Sequence, residues 1–172
     1  MVSAADDPAV TLVDVDELTL DRLVNASITD AAANEVTPPV TTGDEWSPAR
    51  IAWLKDFHRN RRNGLSGPVG EATWAILASD QVVGSVRLKR TAVPEILETG
   101  IWLTRRTRGQ GVGRLAMAGV LQTAATLGAQ GVRAETTTGN RAALRVLRSL
   151  GFDLVASKDG AGVAALLMFG TN

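Results

Sequence analysis

The sequence contains no cysteine and no tyrosine, and His58 is its one histidine. Without cysteine there is no disulfide framework, no thiolate metal site and no cysteine nucleophile. Such a chain suits a reducing, cytoplasmic setting. Without tyrosine, one common proton donor is missing from any catalytic scheme. Net charge is absent as well, since 18 Lys and Arg balance 18 Asp and Glu. No overall field draws the chain to nucleic acid or an anionic membrane, so any basic site must be local. No apolar run approaches the ~20 residues that span a bilayer. The opening residues include Asp6 and Asp7 and lack the basic and apolar stretches of a signal peptide. The expectation is a cytoplasmic protein that uses no metal and has neither nucleic acid nor membrane as partner.

What is present is ordinary globular material. The 172 residues are 45% apolar and 21% charged, enough to bury a core. Residues 1–8 are small and polar and are expected to fray, whereas residues 9–172 show no linker or repeat and read as one domain. Residues 10–15 alternate as a short strand. Leu18, Leu23, Ile28 and Ala32 mark the inner stripe of a helix from Glu17 to about Asn34, closed by Pro38 and Pro39. Ser47 and Pro48 open a second helix, a hydroxyl cap followed by proline at the first helical position. Ile51, Leu54, Phe57 and His58 form its buried stripe, and Asn63-Gly64 ends it. Strands at 72–78 and 82–88 flank Ser79-Asp80-Gln81 and read as a hairpin. A strand at 97–104, an alanine-rich helix ending near Gly128, a strand at 132–137, a helix at 140–150 and two closing strands follow. This order predicts an α+β fold, a mixed sheet of about six to seven strands with two N-terminal helices and two further helices flanking it.

The informative segment runs Arg105-Arg106-Thr107-Arg108-Gly109-Gln110-Gly111-Val112-Gly113-Arg114. Its three glycines leave backbone N–H groups open to close approach. The following helix adds unpaired N–H groups and the positive end of its dipole. Four arginines surround this cradle, so the segment reads as an anion site suited to a phosphorylated ligand. A flexible loop of solvated arginines is the plainer reading, but three glycines at a strand-to-helix junction favour the site. A Walker loop requires a lysine after the glycines, and none is there. A Rossmann fingerprint gains from Glu135 at the end of the next strand, where a ribose-binding acid would sit. It loses on the G-x-G-x-G spacing, on Arg114 after Gly113, and on the short chain that remains.

Arg108-x-x-Gly111-x-Gly113 resembles the R/Q-x-x-G-x-G/A signature of the GCN5-related N-acetyltransferases, the GNAT family. Glu98-Thr99-Gly100-Ile101-Trp102-Leu103 is similar to the E-x-G-x-W-L strand of its ribosomal-protein acetyltransferase branch. Asn140-x-x-Ala143 through Leu150-Gly151-Phe152 resembles the family's second motif. The resemblance covers residues 97–152, and the first 70 residues match only in outline.

That resemblance implies a GNAT fold and acetyl-CoA as co-substrate. The backbone of Ile101, Trp102 and Leu103 would pair with the pantetheine arm as an added strand. Gly109, Gln110, Gly111, Val112, Gly113 and Arg114 would hold the pyrophosphate, and either Arg106 or Arg108 the 3′-phosphate. Asn140 would contact the pantetheine arm, cap its own helix, or do both. Glu98 is the candidate general base by resemblance, with anchoring or an ion pair to an arginine as its plainer role. Glu71 and Glu135 come second, and His58 reads as packing. The family's usual tyrosine acid falls at Leu147, on the apolar stripe Ala143, Val146, Leu147, Leu150, so solvent, Ser149 or Thr137 would have to protonate the departing thiolate. With no cysteine, direct attack by the amine in a ternary complex is favoured over an acetyl-enzyme, and the Leu103 N–H is the polarising donor by family analogy. The implied partner is an amine acceptor, a small molecule such as an antibiotic or a protein N-terminus, and a homodimer is compatible with the family. Trp46, Trp53, Asp44 and Glu45 offer an acidic and aromatic mixture for such an acceptor, or else an acidic turn beside core tryptophans. A non-catalytic acyl-CoA sensor is the rival class, made credible by the missing tyrosine.

Overall fold

The structure is a computed structural model that describes residues 8–170. Apart from Pro8, the segment expected to fray lies outside the described residues. Seven strands form one sheet in the order β1-β2-β3-β4-β5-β7-β6. They are β1 (Val10–Asp14), β2 (Glu71–Ala78), β3 (Gln81–Arg90), β4 (Ile96–Leu103), β5 (Gly131–Thr137), β6 (Asp153–Ala156) and β7 (Gly162–Met168). Five α-helices accompany them: α1 (Glu17–Asp30), α2 (Ala33–Val36), α3 (Pro48–Arg59), α4 (Val112–Thr126) and α5 (Arg141–Ser149).

The β2–β3 hairpin is made at Ser79 and Asp80, both with positive φ (48° and 63°). Two consecutive left-handed residues give the turn whose twist matches antiparallel strands, and short polar side chains tolerate that geometry best. Alternation then sends side chains to two separate cores. Val86, Leu88, Leu97 and Val132 pack with Val112, Ala116, Met117 and Val120 of α4 and with Leu147 of α5. On the opposite face, Ala75 and Trp102 join Leu20, Leu23 and Val24 of α1 and Leu54 of α3.

The N-terminal helices differ from expectation in phase and number. Asp16 caps α1 by accepting from the Thr19 N–H at 2.8 Å, and the stripe that faces the sheet is Leu20, Leu23, Val24 and Ser27. Leu18 and Ile28 point outward, 71% and 41% exposed. The first helix stops at Asp30, because Ala31 and Ala32 are extended, and the separate turn of α2 follows, so among the described residues three α-helices precede β2 and not two. Ser47 caps α3 through the Arg50 N–H as expected, but that helix ends at Arg59, ahead of Asn63-Gly64.

Six neighbouring pairs make up this sheet, and β4–β5 is the parallel one. It is joined only at Ile96↔Gly131, Leu97↔Val132 and Glu98↔Arg133. Beyond Glu98 the two strands part, although β3 stays paired with β4 to Leu103 and β7 with β5 to Thr137. The far halves of β4 and β5 therefore face each other across a wedge, with main-chain groups along its edges.

Candidate active site

The wedge opens toward the glycine loop. After a tight turn at Arg105–Thr107, Gly109 and Gly111 adopt φ of +76° and +81°, and Gly111 caps α4 with no side chain over the helix end. No atom lies within 4 Å of where a Cβ would stand at either glycine. Among the described residues none accepts a hydrogen bond from the N–H groups of residues 109–114, and the first helical bond runs from the Leu115 N–H to the Gly111 carbonyl. Consecutive free donors, a helix N-terminus and left-handed glycines together form the anion cradle expected from the sequence.

The arginines around it divide into two pairs. Arg106 donates from its backbone N–H and its Nε to Asp30 Oδ2, at 3.0 and 3.1 Å. Arg108 forks onto both oxygens of Glu35 (3.2 and 2.8 Å) and also donates to the Leu103 carbonyl. The two arginines proposed for a phosphate thus tie the loop to the end of α1 and to α2. Their hydrogen bonds lower the Asp30 and Glu35 carboxyls below the ordinary range, the Arg106 N–H acting on the first and the Arg108 side chain on the second. Arg105 and Arg114 are exposed and make no ion pair among the described residues. Gln110 closes the turn by donating to the Arg106 carbonyl at 2.9 Å.

Asn140 caps α5, its Oδ1 accepting from the Ala143 N–H at 3.1 Å; the residue is exposed, and its side-chain nitrogen donates to none of the described residues. Leu147 is 3% exposed and belongs to the α4-side core, so its position is filled by packing. Ser149 donates its hydroxyl proton to the Val146 carbonyl at 2.8 Å, which leaves it poorly placed as an acid.

On the α3 side of β4 lies a cleft of about 290 Å³ lined by Glu35, Trp53, Phe57, Ser85, Arg87 and residues 100–102, among others. It shares β4 with the wedge. Asp44 and Glu45 are exposed and do not line it, so the acidic half of the expected acceptor surface is absent from this cleft while Trp53 is present. A larger depression, about 530 Å³, lies at the β1–β2 end between Asp14 and Trp74 and touches neither β4 nor the glycine loop.

Arg87, at the edge of the smaller cleft, belongs to a chain of alternating charges on the same face of the sheet. Arg61 donates to Glu71 Oε2 at 2.7 Å, and Arg87 bridges Glu71 Oε1 (3.3 Å) and Glu98 Oε1 (3.1 Å). Arg133 then forks onto Glu98 Oε2 at 3.1 and 2.8 Å. Burial would raise the Glu98 carboxyl, but the hydrogen bonds from Arg133 and Arg87 more than offset it and hold it below the usual range. Glu98 therefore stays ionised, with both oxygens occupied. Glu135 is exposed on β5, outside this chain. His58 is 2% exposed, with Nδ1 at 2.9 Å from Thr73 Oγ1, a packed position as read from the sequence.

The sequence reading missed Arg61, Arg87 and Arg133. The hairpin turn sets Thr73 opposite Arg87, which brings Glu71 diagonally beside it, so that pair was within reach. The contact of Arg133 with Glu98 depends on the β4–β5 register, for which no local signal exists.

Residues 10–153 match the family model described as an acetyltransferase (GNAT) domain. A comparison with curated proteins found no significant match. Among solved structures the chain is similar to the ribosomal-protein alpha-N-acetyltransferase RimL in complex with coenzyme A, at 13% identity, covering 93% of this chain and 94% of that one, with a TM-score of 0.71. It is similar to an aminoglycoside acetyltransferase in complex with coenzyme A, at 13% identity, 93% and 95% coverage and a TM-score of 0.68. Spermidine N-acetyltransferase from Vibrio cholerae, a dodecamer, aligns at 13% identity over 92% and 93% with a TM-score of 0.66.

Proposed function

Since the chain belongs to the GNAT acetyltransferase family, we propose that it transfers an acetyl group from acetyl-CoA to a primary amine held in the cleft beside β4. The observation that carries this reading is the pairing of a free β4 edge with a cradle of unpartnered N–H groups at one end of the same wedge. A phosphorylated, amide-bearing arm fits both: diphosphate oxygens need converging donors, and an extended amide chain needs an open strand edge. Ile101, Trp102 and Leu103 supply that edge. Gly109, Gln110, Gly111, Val112, Gly113 and Arg114 supply the cradle, and Asn140 still has its amide N–H groups to offer. Arg106 and Arg108 shape the loop through Asp30 and Glu35, which leaves phosphate charge to Arg105 and Arg114. Acetyl-CoA, when bound, supplies the thioester whose acyl carbon is attacked.

The chain's own contribution is then chiefly positional. Holding an amine in the cleft against β4 makes the encounter intramolecular, and the Leu103 N–H lies in the strand that would polarise the carbonyl. Glu98 could act as base or anchor on sequence grounds. We take the anchor, because a carboxylate pinned by two guanidiniums has little affinity left for an ammonium proton. Water removes that proton, and with Leu147 in the core and Ser149 engaged, solvent or the exposed Thr137 hydroxyl at the end of β5 protonates the thiolate, whose ordinary pKa of about 8.5 makes it a tolerable leaving group.

The test is binding and turnover together. Purified protein should bind acetyl-CoA in preference to NAD or ATP and release thiol with an amine panel, and Gly111→Val should abolish binding. At φ +81° a β-branched residue is strained, and its side chain would enter the cradle. Equal affinity for NAD, or an unaffected variant, defeats the reading. The rival reading, a sensor without turnover, draws on Leu147 in place of the usual acid; tight CoA binding with no thiol release from any amine would favour it.

A further inference from the structure

The proposed acceptor cleft borders the ion-pair chain through Arg87, its one lining guanidinium among the described residues. Around Arg87 the carboxylates lie low, with side chains 4% exposed at Glu71 and 19% at Glu98, whereas Arg87 and Arg133 reach outward, 31% and 48% exposed, and Arg61 stays low at 18%. Three arginines against two glutamates leave this ion-pair group one positive charge in excess, and Lys89, in register with both Glu71 and Glu98, is exposed on the same stretch of sheet. The other titratable groups of the cleft add no available negative charge. Glu35 has both oxygens on Arg108, and His58 is neutral near pH 7, its pKa lowered to about 4 by burial and by Arg61 and Arg62.

Arg87 is the group aimed into the cleft. Two of its five N–H groups hold Glu71 and Glu98, and the others remain for a ligand. Gly100 lets the guanidinium lie flat on β4, because a Cβ there would stand 2.9 Å from its Nε. The guanidinium thus sits directly over the strand whose opposite edge borders the wedge. Trp53, Phe57 and Trp102 supply apolar walls, and about 290 Å³ is at the small end of ligand-site volumes.

We infer that the cleft accepts a small amine carrying a carboxylate near the amine and an apolar or aromatic side chain, an α-amino acid or close analogue, with the carboxylate on Arg87. The inference rests on the acetyl-transfer reading of the same cleft and names its substrate class. A planar guanidinium fork matches a carboxylate. A polyamine or aminoglycoside would instead place a second cation beside Arg87, in a group of charges with a net positive excess.

The experiment measures calorimetric binding to the CoA-loaded protein for phenylalanine, leucine, phenylalanine amide, phenethylamine and spermidine, followed by thiol release from acetyl-CoA with the same compounds. The amino acids should bind at least tenfold more tightly than the amide, phenethylamine or spermidine. Arg87→Gln should erase that difference. Should Arg87→Gln fail to fold, Ser85→Asp decides, because a carboxylate beside Arg87 on the same face should turn the preference toward phenethylamine. Binding by none of the five, equal or tighter binding of phenethylamine or spermidine, or a preference untouched in the folded variants, overturns the inference. Carboxylate-selective binding without thiol release supports it while defeating the acetyl-transfer reading. Acetylation of amines without carboxylate selectivity does the reverse.

Discussion

Arg50 is 0% exposed and has no carboxylate partner among the described residues. Its guanidinium donates instead to neutral oxygens of Asn34, Thr37, Pro38, Thr41 and Gly43, knotting the segment between α2 and α3 around one side chain. A buried charge survives without a counterion only when its donors are satisfied, and these are. Arg50→Met should therefore lose about 3 kcal/mol, since several buried acceptors lose a charged donor while the relief of one buried charge returns part of it. The melting temperature reports this, and a drop too small to resolve would show that water replaces the guanidinium. Nothing in the sequence distinguishes this arginine from the exposed ones: it sits in the first turn of a helix, where a charged residue normally faces solvent. Glu98 shows the same limit. Its place on the β4 motif was legible, its two arginines were not, and they change the role argued for it. If Glu98 anchors Arg87, Glu98→Gln should raise the acceptor KM and leave the shape of the kcat–pH profile unchanged, with CoA affinity preserved. A general base would instead give up a factor of about 10² to 10⁴ in turnover and its titrating limb.

At the scale of elements, the segments with local punctuation were legible. The hairpin at Ser79-Asp80, the caps at Ser47 and Asn140, and the glycine loop into α4 all stand where side-chain chemistry marks them. The first helix was read through its break because Ala31 and Ala32 carry no stop signal, and its stripe was misphased because Leu18 and Ile28 are apolar yet exposed. On α5 the apolar stripe was read correctly at Leu147, whose burial against α4-side residues explains why no proton donor stands there. Leu147→Ala should destabilise the protein by about 2–5 kcal/mol. At a temperature where the variant stays folded, turnover should remain near that of the wild type. A turnover defect larger than the fraction unfolded would place Leu147 in the chemistry and not only in the core. The glycine at 84 marks the opposite edge of the same construction, since a Cβ there would overlap the Trp102 carbonyl oxygen. Close β3–β4 approach is thus built in beside the residues that line both wedge and cleft.

For the whole molecule, one histidine makes the acid side of stability simple to read. Burial lowers the His58 pKa to about 4 from 6.5, and the charges of Arg61 and Arg62 push the same way. The ring is enclosed by the Phe57 edge at 5.2 Å and the Thr73 hydroxyl at 2.9 Å. Between pH 6.5 and about 4 the unfolded chain binds a proton at this residue and the folded chain does not. Stability from this group is therefore complete above pH 6.5 and falls as pH drops toward 4, by an amount on the order of 3 kcal/mol. The carboxylates act later. Glu17 is lowered to about 2, and Glu35 and Glu98 are lowered from 4.5, so the stability they contribute is present above 4.5 and is lost only below it. With no cysteine and no second histidine, no other side chain ordinarily titrates between these windows. The melting temperature should accordingly begin to decline near pH 6.5, before carboxylate protonation contributes. His58→Gln keeps a hydrogen-bonding group for Thr73 and removes the titration. In that variant the curve should stay flat from pH 7 to about 4.5 and then fall as in the wild type. A decline of equal slope in both proteins over pH 6.5–4.5 would mean that His58 is protonated inside the fold, and that water or a shift of Arg61 screens its charge.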